Sequence, residues 1–363
     1  MEHGPRWDGT ASMASYYVIY ALVLAAVSSV LIRDEAWRRA LLRYYLPLLG
    51  LVLLVFAVSR SASVDHDYQD YLYWFNRIVP QSISDIRWNH DPMFFLASWL
   101  ATSAGLSYKA VLACYSAMAL LFVFIFSRKV RNDRWLAALL YITFCHFFIE
   151  YEMTAIRAAV AIPLASLSLL LAQERKVLPS ILLFIVALGF HISALAVLPV
   201  LIAFHFRLKL DSRVWILALI PCGFIVYVVT TKALPLFMLY DRLAIYSKQN
   251  TDLTPVPLLS VYLIARVVCL GTVVGYLWKK LSIRDRHIAL CSCISLLLFL
   301  SLSSWDTLAW RASEIFGLFD MAVFLIPLAY FKNTFRVVYL MALIGLGFEF
   351  YRSSLQLVAP YSF

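Results

Sequence analysis

The chain has 363 residues, 63% of them hydrophobic and only 14% charged, and it carries a net charge of +10. A soluble domain is about half apolar and a quarter charged, and no water-soluble core buries this much apolar surface. A cytosolic enzyme, a secreted domain and a disordered chain are therefore excluded, leaving a protein that lies mostly within a bilayer.

Taken in chain order, apolar runs predict spans near 14–32, 44–59, 109–127, 135–150, 156–173, 177–191, 192–206, 214–230, 258–278, 288–304, 313–331 and 336–350. A crossing helix needs about 20 apolar residues. A thirteenth run, 92–105, is too short to cross. The first run lacks the basic leader of a cleavable signal. The expected fold is one all-α polytopic membrane domain over 1–363, with about twelve transmembrane helices and an outer-face in-plane or re-entrant helix near 92–105.

Charge sets the direction. Basic clusters around Arg38, Arg131, Lys176, Lys209, Lys280 and Arg336 follow alternate spans. Basic loops face the cytoplasm, which explains the positive charge without a nucleic-acid partner. All six clusters fall inside only if 92–105 stays on the outer side, and both termini are then outside. The segments 60–91 and 231–257 become outer loops, rich in Asp, Tyr and Arg. The inner loops are short and carry no phosphate-binding glycine motif, so chemistry is expected on the outer face. Six cysteines lie in apolar stretches without metal-ligand or disulfide spacing and read as small core residues.

Candidate residues come from charges that abut or enter apolar spans. Arg157, Arg266 and Arg311 sit where a charge costs about 2.5–3.5 kcal/mol and faces a cavity or a partner. Arg311 has Glu314 three positions on, and Asp320 is a candidate partner for Arg266. Guanidinium binds phosphate bidentately. The stretch Arg60–Phe75 sets Asp65, Asp67 and Asp70 beside Tyr68, Tyr71 and Trp74, a composition that suits a sugar surface or an interfacial aromatic belt. Asp65-His66-Asp67 has the look of a metal motif but too few ligands for one. His191, at a break between two outer helix ends, suits either a helix–helix hydrogen bond or proton transfer.

The order of these residues resembles the EpsG-type branch of the Wzy polysaccharide polymerases. Its first outer loop carries an arginine, a glycine-threonine-aspartate-tyrosine run and two further aromatics. Arg60, Asp67, Tyr68, Tyr71 and Phe75 match, while Asp65 and His66 replace glycine and threonine. Asp91 stands where an acidic residue opens the next helix. Arg157 matches a later arginine, with Ala158 in place of glutamine and Thr154 where asparagine is common. Phe190, His191 and Ser193 match a phenylalanine-histidine-hydroxyl motif, and Arg311, Phe316 and Pro327 fit the last one.

The resemblance implies a GT-C-like membrane glycosyltransferase of the bacterial cytoplasmic membrane, without cofactor or metal. It would join polyprenyl-pyrophosphate-linked oligosaccharides outside that membrane for exopolysaccharide, capsule or O-antigen synthesis. Donor and acceptor are both lipid-linked, and a chain-length regulator and a flippase of the same pathway are the expected partners. His191 and Asp67 would handle the proton, Arg157, Arg311 and Arg266 the pyrophosphate, and Asp65, Tyr68, Asp70, Tyr71 and Asp91 the sugars. The competing readings are a flippase or transporter of lipid-linked glycan and a membrane acyltransferase.

Overall fold

The computed structural model describes residues 13–32, 34–61, 64, 67–77, 91–131, 133–206, 260–303 and 306–358, with scattered helical positions between 213 and 227. Every regular element among them is helical. Arg87, Lys248, Asp65, His66 and the loop 231–257 lie outside the described residues.

The helices are α1 (Ala14–Val27), α2 (Glu35–Ser59), α3 (Asp67–Arg77), α4 (Pro92–Ser103), α5 (Tyr108–Val130) and α6 (Asp133–Thr143). Then come α7 (Ile156–Gln173), α8 (Val177–Phe190), α9 (Leu198–His205), α10 (Val261–Gly271), α11 (Ile283–Ser301), α12 (Asp306–Glu314), α13 (Gly317–Phe324), α14 (Ile326–Tyr330) and α15 (Asn333–Ser354). Among the described residues, six helical runs are long and apolar enough to cross a membrane, or seven if the bent run Leu308–Tyr330 counts as one. The chain is thus a polytopic all-α membrane protein, with fewer single-piece spans among the described residues than the twelve expected, and the expected span 214–230 lies largely outside the described residues.

The shortfall has visible causes. The run 135–150 is α6 followed by a π-helix, Phe144–Glu152. The run 192–206 opens as a 3₁₀-helix before α9. The run 313–331 is broken, its two arms bent by 62°. Arg284, Asp285 and Arg286 occupy the first turn of α11, which leaves a short apolar remainder. α4 has twelve residues, about 18 Å at 1.5 Å each, against a hydrocarbon core of about 30 Å.

Contacts divide the chain into two compact units. The first comprises 1–163, 186–192 and 337–363. In it α2 packs on α5, α1 on α6, and α4 on α5. Tyrosines tie its first helix to its last. Tyr351 donates to the Tyr16 carbonyl at 2.7 Å, Tyr141 donates to the Ile344 carbonyl at 2.7 Å, and Tyr20 and Tyr141 share a hydrogen bond at 2.8 Å. Gly347 passes so close to the Tyr141 ring that a Cβ there would sit 2.5 Å from it.

The second unit comprises 164–185 and 193–336. Its centre is α11, packed on α12 and α13, with α10 against α13. Ser282 caps α11 by accepting from the Asp285 amide at 3.1 Å, and Tyr330 donates to the Asp285 carboxylate at 3.0 Å.

Candidate functional site

Three helices of the first unit meet at Arg157. Pro92 opens α4, and the residue before a proline is kept out of the right-handed helical region. Asp91 there adopts a left-handed backbone, φ +49°, at a cost of about 1–2 kcal/mol for a residue with a Cβ. Its carboxylate makes no cap for α4. It accepts instead from the Arg157 Nη1, forming an ion pair with the second residue of α7.

α3 supplies two ring faces. Tyr71 and Trp74 are three residues apart and so share one side of the helix. The Arg157 guanidinium carbon lies 5.2 Å from the Tyr71 ring centre and 4.8 Å from that of Trp74, and Nε donates to the Tyr71 hydroxyl at 3.4 Å. Cation–π contacts of this kind strengthen as water is removed. The Arg157 and Asp91 side chains keep 18% and 16% exposure, so the pair is held but reachable.

A chain of aromatic contacts continues from this cluster. Tyr71 and Trp74 pack on Phe94, Phe94 on Tyr115, and Tyr115 on Phe190. Gly189 lets α8 pass Met93, where a Cβ would sit 3.0 Å from that side chain. His191, 7% exposed, follows directly. The fold thus brings the end of α8 against the start of α4, and His191 and Asp91 adjoin those two contact points.

The other expected residues divide. Tyr68 is buried, with the Arg60 guanidinium 5.8 Å from its ring centre and Tyr108 against its edge. Arg60 is itself fully buried and donates to the Ala57 carbonyl. Asp67 begins α3 half-buried, and Asp70 is exposed.

In the second unit, Arg311 is half-buried in the last turn of α12. Arg266 and Asp320, each 1% exposed, form an ion pair at 3.1 Å. Asp320 also accepts from Ser292, from Ser295 at 2.8 Å and from Tyr262 at 3.5 Å. The Arg266 guanidinium is therefore committed to a carboxylate within its own unit.

The sequence sets Trp74 among the loop aromatics without placing it at the arginine; its position three residues after Tyr71 is the signal. The π-helix, with His146 Nδ1 3.9 Å from the Glu150 carboxylate, has no such signal, since its residues read as an ordinary apolar run.

A sequence model described as the EpsG family matches residues 43–363. No curated protein and no solved structure matches this chain.

Proposed function

Because this chain belongs to the EpsG family, and is thereby a multi-pass membrane polysaccharide polymerase of the glycosyltransferase type, we propose that it joins polyprenyl-pyrophosphate-linked oligosaccharide repeats on the outer face of the bacterial cytoplasmic membrane. The observation that carries this reading is Arg157, fixed by Asp91 and packed against the near-perpendicular rings of Tyr71 and Trp74 while remaining reachable.

In the proposed reaction the acceptor hydroxyl oxygen attacks the anomeric carbon of the donor glycan. A new C–O bond forms, the bond to the pyrophosphate breaks, and the hydroxyl proton passes to His191, with Asp67 as the second candidate. The departing pyrophosphate gains negative charge. A guanidinium already oriented in a water-poor site stabilises that charge with little reorganisation. Asp91 keeps the arginine paired until the diphosphate arrives. Tyr68, Asp70 and Asp65 are assigned to the sugars. Tyr71 carries two roles in this reading, holding Arg157 and facing sugar.

Arg311 is proposed as the second pyrophosphate ligand. Arg266 is proposed to hold Asp320 rather than substrate. α4 is proposed as the outer-face re-entrant element, both termini lying outside.

The test is elongation by the purified protein in liposomes, with a lipid-linked repeat unit as the sole substrate. Wild type is expected to make chains longer than one repeat and Arg157→Ala to make none at equal protein abundance. Movement of the repeat across the bilayer without elongation would overturn the reading in favour of a flippase.

A further inference from the structure

Arg60 is fully buried, and the proposed reaction does not use it. It ends α2, and its guanidinium donates to the Ala57 carbonyl in the last turn of that helix. The last carbonyls of a helix lack partners within it and form its negative pole, so a cation is well placed there. The same guanidinium lies 5.8 Å from the ring centre of Tyr68, the second residue of α3. It is also the electrostatic partner of Glu152, which closes the π-helix and is 5% exposed. One buried cation thus engages the end of α2, the start of α3 and the end of the π-helix, all within the first unit.

Two of those segments lead directly to Arg157. Tyr68 stands three positions before Tyr71 and shares its side of α3. Tyr71 accepts from the Arg157 Nε and offers it a ring. Glu152 stands five positions before Arg157. The link between them is anchored. Met153 and Ile156 are buried, and the Met153 and Ala155 amides donate to the Phe148 and Glu150 carbonyls. A shift of Glu152 therefore moves the start of α7, and a shift of Tyr68 moves the ring that meets the same guanidinium.

Stability alone does not account for two opposite charges in this position. Their desolvation often costs more than their attraction returns, and apolar residues of similar volume often serve as well. What buried polar contacts add is a unique arrangement, because few relative placements satisfy them in a low dielectric. We propose that Arg60 is a positioning residue for the pyrophosphate site, holding α3 through Tyr68 and the π-helix through Glu152 so that Tyr71, Trp74 and Arg157 keep their packed arrangement. With no exposed surface, it does not touch substrate. The proposal rests on the polymerase reading only in what Arg157 is for.

The test follows the arginines of the full-length protein one by one, in detergent and without substrate, by phenylglyoxal modification and peptide mass spectrometry. The Arg157 side chain keeps 18% exposure and is open to the reagent. Arg38 and Arg266, with side chains 8% and 1% exposed, lie one in each unit and report general loosening. In Arg60→Gln, which loses the charge, Arg157 is expected to react at least about threefold faster while Arg38 and Arg266 keep their wild-type rates, as for a local opening. Should Arg60→Gln fail to fold, Tyr68→Leu decides. It leaves both charges and removes the ring, and the same selective gain at Arg157 is expected.

Elongation supplies a second arm. Arg60→Gln is expected to lower the rate at least about tenfold in the wild-type background and less than about twofold in Arg157→Lys, because residues that act through one another are not additive. Unchanged Arg157 reactivity in the folded variant, an equal gain at Arg38 and Arg266, or a fully additive loss of rate in the double variant would overturn the proposal. If wild type does not elongate, the polymerase reading falls and the modification rates alone decide the positioning role. If Arg157 reactivity does not change, the positioning role falls and the polymerase reading stands.

Discussion

A guanidinium packed against two near-perpendicular rings and paired with a carboxylate uses its planarity as well as its charge. Lysine at 157 keeps the charge and loses both the fork and the stack. Arg157→Lys is therefore expected to lower elongation by at least about tenfold while membrane abundance, read by in-gel fluorescence of a fusion, stays at wild-type level. Asp91 separates charge from backbone. Asn at 91 tolerates the left-handed conformation and still accepts a hydrogen bond, so Asp91→Asn should reduce rate without loss of protein. Asp91→Ala must also bear the strained backbone and leaves Arg157 without its ion pair, so it should reduce both. At His191, Gln retains hydrogen bonding but cannot take the proton. Loss of a general base costs about a hundred- to ten-thousand-fold in rate, whereas an interhelical hydrogen bond in a bilayer averages only about 0.6 kcal/mol. His191→Gln polymerising at the wild-type rate would move the proton to Asp67.

At the scale of elements, the α10–α11–α13 junction is held by the buried Arg266–Asp320 pair and the serines of α11. Breaking one partner of such a pair costs about 3–5 kcal/mol, while replacing both by apolar residues is often neutral. Asp320→Ala should accordingly lower the melting temperature in detergent markedly, and Arg266→Met with Asp320→Leu should restore most of it together with activity. Loss of activity in the well-folded double variant would return Arg266 to the substrate. The helices themselves were legible in proportion to their regularity. α7 occupies 156–173 as the apolar run predicts, and Pro92 and Gly105 bracket α4 much as expected. α2 begins nine residues before the predicted 44 because Asp34 caps it, accepting from the Ala36 and Trp37 amides. A hydropathy window looks past Arg38, Arg39 and Arg43, whereas the cap does not depend on them. The π and 3₁₀ stretches were invisible, because they change the number of residues per turn without changing composition. The site was legible as residues but not as partners. Asp91 reads as a sugar ligand until α3, α4 and α7 converge, and no spacing rule reports that 66 positions separate a carboxylate from its guanidinium.

For the whole molecule the strongest expectation is sidedness. Cysteine placed at 67 should label from outside intact cells, and cysteine at 131 or 284 should label only after permeabilisation. Outside labelling at 131 would mean that α4 crosses the bilayer, against its length. The tyrosine ties between the first and last helices carry a consequence for biogenesis. Tyr16 and Tyr351 are 335 positions apart, so α1 leaves the ribosome with a carbonyl whose partner is made only 335 residues later. Throughout synthesis the first unit stands open along the side that α15 will occupy. A chain stopped after Arg336 should insert but remain protease-sensitive, and residues 333–363 supplied as a separate polypeptide should dock and protect it. Quality control of this protein would then turn on one late helix, which decides whether the early ones are kept.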